Sequence, residues 1–414
     1  MTIIEFFDKS PLENIASAML CRPDKIILVG DDKKPMQKAV NIFSGILKNR
    51  GVDAEIFYKT ASKNNLFTIV RILSQIVDEN ADCTFDLTGG EDLYLVALGI
   101  VMERYGNRVK CHRINFSNDS LIDCDADGKQ LAMGEFDISI DEIVAIHGGS
   151  IVTDPGMVPC TYPWVIDEPF IKDIEALWTL CSKVGGAWNS YLVGAIKRLN
   201  EGSSVSEDTL RFNRSQALAA VYFKNDNLAE LEDFLSELDR LGIIRYTVNA
   251  AEYEIAFKDD RIKRCLTIEG QVLELFVATR LMSYSYNGGK KLYHDVMVGV
   301  AMDWDTQDDP DSYRTLNEID VFAVKGMIPI FVSCKNGSFD VEEFYKLCTV
   351  AERFGVKYAK KVLVCHNIER AVGATRAAHL KARAEDMGIR IVDLTSDLSL
   401  QEIERKLRSL YSNS

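Results

Sequence analysis

Asn317-Glu318-Ile319-Asp320-Val321-Phe322-Ala323-Val324-Lys325-Gly326-Met327-Ile328-Pro329-Ile330-Phe331-Val332-Ser333-Cys334-Lys335-Asn336-Gly337 is the stretch on which the reading of this chain turns. Two apolar runs rich in β-branched residues meet at Lys325-Gly326, the punctuation of a hairpin with largely buried strands. Side chains alternate along a strand, so Glu318 and Asp320 share one face, and Ser333 and Lys335 share one face of the partner strand. Two carboxylates and a lysine set among apolar neighbours each need a partner if they are buried. A divalent cation supplies one; an ion pair between Asp320 and Lys335 in a purely structural hairpin is the alternative.

Outward from the hairpin, the pattern is α/β. A helix is predicted from Ile268 to Ser283, with Leu273, Phe276, Val277 and Leu281 on its apolar side and Glu269 or Glu274 toward the sheet. A strand from Tyr293 to Met302 and an acidic loop from Asp303 to Ser312 follow. After the hairpin come a helix from Val341 to Phe354, a strand from Val362 to Cys365, a helix from Arg370 to Met387, a strand from Arg390 to Leu394 and a final helix to about Leu410. In the helix from Arg370, residues Gly373, Ala377, Leu380, Ala384 and Met387 make one face, while Arg376, His379 and Arg383 line another. With Lys357, Lys360 and Lys361, that basic face reads as a solvated surface or as one that tracks a phosphate backbone.

The N-terminal part alternates strand and helix: strands at Ile3–Phe7, Lys25–Val29, Ala54–Tyr58 and Thr84–Leu87, with helices at about Leu12–Cys21, up to Lys48, Leu66–Asp78 and Leu93–Tyr105. This implies a parallel sheet covered on both faces, a Rossmann-like domain. Ligands bind such sheets beyond the carboxyl ends of the strands, where the loops are Lys9-Ser10, Gly30-Asp31-Asp32 and Thr88-Gly89-Gly90-Glu91-Asp92. A glycine pair before a helix lets backbone amides and the helix dipole approach a phosphate. No dinucleotide fingerprint or Walker sequence is present.

Ser120 to Met133 reads as a hairpin turned at Asp125-Ala126-Asp127-Gly128, which lacks the bidentate glutamate of a calcium loop. Gly and Pro are dense from Gly148 to Pro169, which sets a domain boundary there. Helices at Ser215–Phe223 and Leu228–Leu241, then a hairpin of Ile243–Val248 and Glu252–Phe257, resemble a winged helix. Its second helix is acidic (Glu230, Glu232, Asp233, Glu237, Asp239), which favours a linking or dimerisation role over DNA contact. The expected domains are therefore 1–150, 151–265 and 266–414.

A chain of 414 residues supports two or three domains. No stretch approaches the roughly 18 apolar residues of a membrane span, and no signal sequence opens the chain, so a cytoplasmic protein is expected. Ten cysteines are scattered without a Cys-x-x-Cys pair, which argues for reduced thiols and against a zinc site. Net charge is −14. Lys and Arg against Asp and Glu number 29 to 41 over residues 1–265 and 19 to 21 over residues 266–414, so the acidity lies in the first part. Residues 353–383 hold eight basic residues and one acidic one, a local patch suited to phosphates.

Asp320 opening one hairpin strand, with an acid-x-lysine position on the next, resembles the PD-(D/E)xK nuclease core. The chain departs from that pattern at Ser333, where an acid is usual, and Glu318 or Glu274 is the replacement. Asp86-Leu87-Thr88-Gly89-Gly90-Glu91-Asp92, Pro11-Leu12-Glu13-Asn14-Ile15 and Pro23-Asp24-Lys25-Ile26-Ile27-Leu28-Val29-Gly30-Asp31 resemble the CARF domain, the CRISPR-associated Rossmann fold that senses cyclic oligoadenylates. Together they resemble type III CRISPR ancillary effectors with a CARF sensor and a C-terminal restriction-endonuclease-like domain. The resemblance implies a homodimer in which Lys9, Ser10, Gly30, Asp31, Thr88, Gly89 and Gly90 enclose cyclic tetra-adenylate, with Glu91 and Asp92 suited to ribose hydroxyls. It also implies Mg²⁺ or Mn²⁺ held by Asp320, Glu274 or Glu318 and the Cys334 carbonyl, with Lys335 at depressed pKa acting on water, to cut DNA and/or RNA. A ligand-controlled transcription factor with a degenerate nuclease, and a ring nuclease that degrades its own ligand, are the alternatives.

Overall fold

The structure, a computed structural model, describes residues 1–7, 10–116, 120–124, 130–132, 137–202, 204–206, 208–222, 224–249, 252–286, 289–304, 316–355 and 358–411. Lys9, Lys357, the Asp125–Gly128 turn and most of the acidic loop after Asp303 lie outside the described residues.

Strand and helix alternate through β1 (Thr2–Phe6), α1 (Glu13–Cys21), β2 (Lys25–Gly30), α2 (Lys33–Asn49), β3 (Glu55–Thr60), α3 (Leu66–Glu79), β4 (Cys83–Asp86), α4 (Asp92–Tyr105) and β5 (Val109–Asn115). These strands pair in parallel in the order β3-β2-β1-β4-β5, and antiparallel β6 (Ser120–Asp123) and β7 (Gln130–Ala132) extend the sheet. The periodicity of α3 buries Ile69, Val70, Leu73, Ile76 and Val77, and the Asn65 side chain caps it by accepting from Thr68 N at 3.0 Å. The chain proceeds outward from β1 through β2 to β3, then returns to place β4 on the other side of β1. That reversal opens a crevice beyond the carboxyl ends of β1 and β4.

The chain continues through α5 (Ile140–Ile146), β8 (Ser150–Ile151), α6 (Glu168–Val184), α7 (Gly194–Gly202), β9 (Ser204–Ser206), β10 (Thr209–Asn213), α8 (Arg214–Ala220), α9 (Asn225–Arg240), β11 (Ile244–Val248), β12 (Glu252–Phe257) and α10 (Asp260–Thr267). The helix pair and hairpin match the winged-helix pattern, and β10 and β9 widen the wing into an antiparallel sheet ordered β11-β12-β10-β9.

The third sheet is built from β13 (Asp295–Asp303), β14 (Leu316–Lys325), β15 (Ile328–Lys335), β16 (Lys360–Cys365) and β17 (Ile389–Asp393). It is flanked by α11 (Gln271–Ser283), α12 (Val341–Phe354), α13 (Ile368–Val372), α14 (Ala374–Asp386) and α15 (Leu400–Arg408). Its order is β17-β16-β15-β14-β13-β8, so the edge strand β8 comes from far upstream. The single helix expected over Arg370–Met387 is two helices. Gly373, at φ +85°, breaks it, so Gly373 does not belong to the apolar face that buries Ala377, Leu380 and Ala384. Likewise Gly270, at φ +86°, separates α10 from α11, which starts at Gln271 rather than Ile268.

The third sheet is covered on both faces, and the period-2 pattern of the hairpin shows how. Val321, Ala323, Ile330 and Val332 join a core containing Leu177 and Trp178 of α6 and Phe276 of α11. Phe322, Val324 and Phe331 face the other way, into a core containing Ile15 of α1, Phe43 of α2, Ile143 of α5 and Phe344 of α12. The Phe322 and Phe331 rings lie 4.4 Å apart, and the Phe116 and Tyr358 rings 4.2 Å apart. The helices of the first sheet and the strands of the third thus share one apolar interior. Polar contacts reinforce it: Ile140 N donates to Asp295 Oδ2 at 2.8 Å, and Ile138 N to the Gly326 carbonyl at 3.2 Å.

Candidate active site and ligand crevice

Strands β14 and β15 pair from Lys325↔Ile328 to Val321↔Val332, and the ladder stops there. Beyond it, the Asp320 carboxylate takes the place of a strand partner: its Oδ2 accepts from Cys334 N at 2.6 Å and from Ser333 Oγ at 3.2 Å. On its other side β14 meets β13 at Val300↔Ile319 and Val298↔Val321, which sets Gly299, at φ +58°, opposite Asp320. Strand β15 keeps its pairing to β16 as far as Lys335↔Cys365, so the sheet splits on the side where the acid stands.

Lys335 lies on the same side of the sheet as Asp320. Its Nζ is 3.8 Å from Asp320 Oδ2 and 2.8 Å from Glu343 Oε2 of α12. Glu343 carries no sequence signal beyond an ordinary i,i+3 pairing with Lys346, and only the fold brings it here. It also corrects the expected behaviour of the lysine. Burial pulls the Lys335 pKa down, but Asp320 and Glu343 outweigh burial and hold it above the ordinary lysine value, so the amine stays an ammonium.

Asp320, Cys334, Lys335, Glu274 and Glu269 line one cleft of about 650 Å³, whose lining also includes Gly185, Gly186, Asn189, His366 and Arg370. Burial, then the charges of Asp320 and Glu318, push the Glu274 carboxyl well above its usual range. Burial also raises Asp320, against the pull of Lys335 and the Cys334 N–H. Glu318 is raised by burial and by Asp320, yet it is exposed and lies outside the cleft lining. The Cys334 thiol is pushed up by burial and by Asp320 and Glu274, which leaves it inert. Among the described residues, no three or more His, Cys, Asp and Glu side chains gather closely enough to cage an ion by themselves.

At the other end, the loop after β4 is fixed from below. Asp86 Oδ1 accepts from Thr88 N at 2.8 Å and from the Thr88 hydroxyl, whose oxygen accepts from Ile114 N at 2.8 Å. Burial lifts the Asp86 pKa to about 7, against bonds from Thr88, Glu5 and Ser17. Nearby, His112 Nε2 sits 2.5 Å from Ser17 Oγ, and burial lowers its pKa to about 4.

Gly90 has φ +106°, and a Cβ there would lie 2.7 Å from Phe6 Cβ, so it fits only as glycine. Thr88 and Gly89 are half-buried, while Glu91 and Asp92 are exposed at the start of α4. Gly30 packs against Phe7 and Met36. Asp31 accepts from Lys63 N at 3.3 Å, and Lys63 Nζ pairs with Glu91 at 3.2 Å. Ser10 is buried, and its carbonyl accepts from Glu13 N at 3.0 Å. Lys63, in the loop after β3, is a cation at the crevice that sequence reading missed, because nothing but the topology places it beside Glu91.

No protein-family model and no curated protein sequence matches the chain. Solved structures do. Protein VC1899 from Vibrio cholerae superposes with a TM-score of 0.71 at 16% identity, over 99% of this chain and 96% of that one. Can2 from Sulfobacillus thermosulfidooxidans, solved in complex with cyclic tetra-adenylate, superposes with a TM-score of 0.66 at 16% identity, over 99% and 97% of the two chains. The chain therefore shares one α/β fold with both along nearly its whole length.

Proposed function

We propose that this chain is a CRISPR effector of the CARF class, a nuclease switched on by cyclic oligoadenylate, with cyclic tetra-adenylate as activator and DNA and/or RNA as substrate. The division taken with this reading is a sensor over residues 1–150, a linking module over 151–265 and a nuclease over 266–414. The observation that carries it is the convergence of Asp320, Cys334, Lys335 and Glu274 on one cleft. The fold shared with a protein solved with cyclic tetra-adenylate supports the sensing half.

The cleft fits a hard cation. Its donors are oxygens; burial, then Asp320 and Glu318, raise the Glu274 carboxyl, and burial raises Asp320, a cost of buried negative charge that a divalent ion would offset. Asp320, Glu274 and the carbonyl of Cys334 would hold Mg²⁺ or Mn²⁺, with Glu343 and Glu318 at the margins. When bound, such an ion supplies an activated water and neutralises charge on the scissile phosphate. The chain's own groups do the rest: Cys334 N–H fixes the Asp320 carboxylate, and the Lys335 ammonium, held between Asp320 and Glu343, stabilises charge on the phosphate oxygens.

In the sensor, the crevice beyond β1 and β4 would take the ligand against the Gly89-Gly90 turn that Asp86 and Thr88 hold from below, with Lys63 exchanging its Glu91 partner for a phosphate. A homodimer is supported by α4, which is apolar nearly all round. Its Leu95, Val96 and Ile100 stay 39%, 52% and 39% exposed, the composition of a helix that another chain covers. Because α4 follows the Thr88 loop directly, pairing through it brings two such loops together about a two-fold axis. Labelled DNA and RNA incubated with the protein, with and without cyclic tetra-adenylate and Mn²⁺ or Mg²⁺, test this reading. Cleavage dependent on both additions is expected, and unchanged cleavage by Asp320→Ala would overturn it.

A further inference from the structure

The lining of the same cleft has a second group of residues with a different chemistry. It is formed by Gly185-Gly186 after α6 and by His366 and Arg370 after β16. Arg370 is exposed and makes no ion pair with any described residue. Lys335, the other cation of the lining, is already held by Asp320 and Glu343. His366 is 4% exposed, yet its Nε2 has no hydrogen-bond partner among the described residues.

The Gly185-Gly186 turn lies against both groups. A Cβ on Gly185 would sit 3.8 Å from both Arg370 Nη1 and His366 Cε1, and one on Gly186 would sit 3.5 Å from Gly337 Cα. These are ordinary contacts; Gly185, at φ +70°, ends α6 and so sets the turn beside the arginine and the histidine. His366 is tied to the catalytic strand, since its N donates to the Lys335 carbonyl at 3.2 Å.

Resting on the nuclease reading, we infer that Arg370, with His366 and the Gly185-Gly186 turn, forms a subsite for a non-scissile phosphate of the bound strand. A strand entering past Glu269, Glu274 and Asp320 is repelled on that side. A guanidinium in the lining of the same cleft, with its fork of donors, offsets this and sets which phosphate reaches Lys335.

The test is anisotropy of a fluorescein-labelled 20-nucleotide single-stranded DNA and its RNA counterpart. The full chain is used in EDTA so that cleavage does not compete, with and without cyclic tetra-adenylate, across a salt series. Arg370→Ala should weaken binding by about ten- to hundredfold and lower the slope of log affinity against log salt by about 0.7, one phosphate on a single strand. Arg370→Lys should restore the slope but recover affinity only in part, because lysine lacks the fork. An unchanged slope in Arg370→Ala, or a wild type that binds neither probe, overturns the subsite. A wild type that binds with the arginine-dependent slope yet never cuts in Mn²⁺ sinks the nuclease reading and leaves the subsite standing.

Discussion

Asp86 lies under the loop proposed to meet the ligand, and its titration can be worked from the structure. Burial raises its pKa from 3.8 to about 7, so its contribution to stability is complete below pH 3.8 and is lost as pH rises through about 7. At about 1.36 kcal/mol per unit, the loss is roughly 4 kcal/mol. His112 behaves in the opposite sense. Lowered from 6.5 to about 4, it contributes above pH 6.5 and loses that as pH falls through about 4, roughly 3 kcal/mol over the window. Between about pH 4 and 6.5 the two slopes therefore oppose each other in the wild type. Asp86→Asn keeps an acceptor for Thr88 N and removes one slope, so the variant should gain stability over the wild type by up to roughly 4 kcal/mol between pH 4 and 7.5. Hydrogen exchange of amides in β4 and β5, compared between the two proteins at each pH, reads this locally in a chain too large for a single unfolding free energy. A difference that stays constant with pH would refute the reasoning.

Lys335→Ala should cut cleavage by about 10²- to 10³-fold with unchanged circular dichroism, the usual cost of one preorganised electrostatic contact; near-normal rates would remove Lys335 from the mechanism. Added Mn²⁺ should raise the melting temperature of the wild type by mass action and leave Asp320→Ala unmoved, which differential scanning fluorimetry checks without any substrate. Gly90→Ala forces a Cβ to 2.7 Å from Phe6 at φ +106° and should destabilise by about 2–4 kcal/mol, seen as a lower melting temperature together with weaker binding of cyclic tetra-adenylate.

The hairpin from Leu316 to Lys335 was readable because its β-branched runs, the turn before Met327 and the lone polar residues fall on strand periodicity. The parallel sheet was readable from the alternation of strand and helix. The two-residue β8 was not, since no pattern can mark so short an edge strand. The break at Gly373 was hidden because glycine fits the spacing of the apolar face while ending the helix. Glu343 and Arg370 looked like ordinary helix-surface charges, and only the fold brings Glu343 to Lys335 and Arg370 to the cleft. The downward shift expected of Lys335 belongs to a lysine beside a metal ion; from the protein's own groups, Asp320 and Glu343 raise it, and Glu343 was not foreseen.

The apolar interior that joins α1, α2 and α5 to Phe322, Phe331 and Phe344 limits how such a molecule can be rebuilt. Cutting near residue 150 and grafting on a foreign sensor would expose half of that interior and strip β8 from the edge of the other sheet. Recombination among relatives should therefore exchange the two halves as a matched pair, and a working chimera would need the contact side chains of α5 and α12 carried over together.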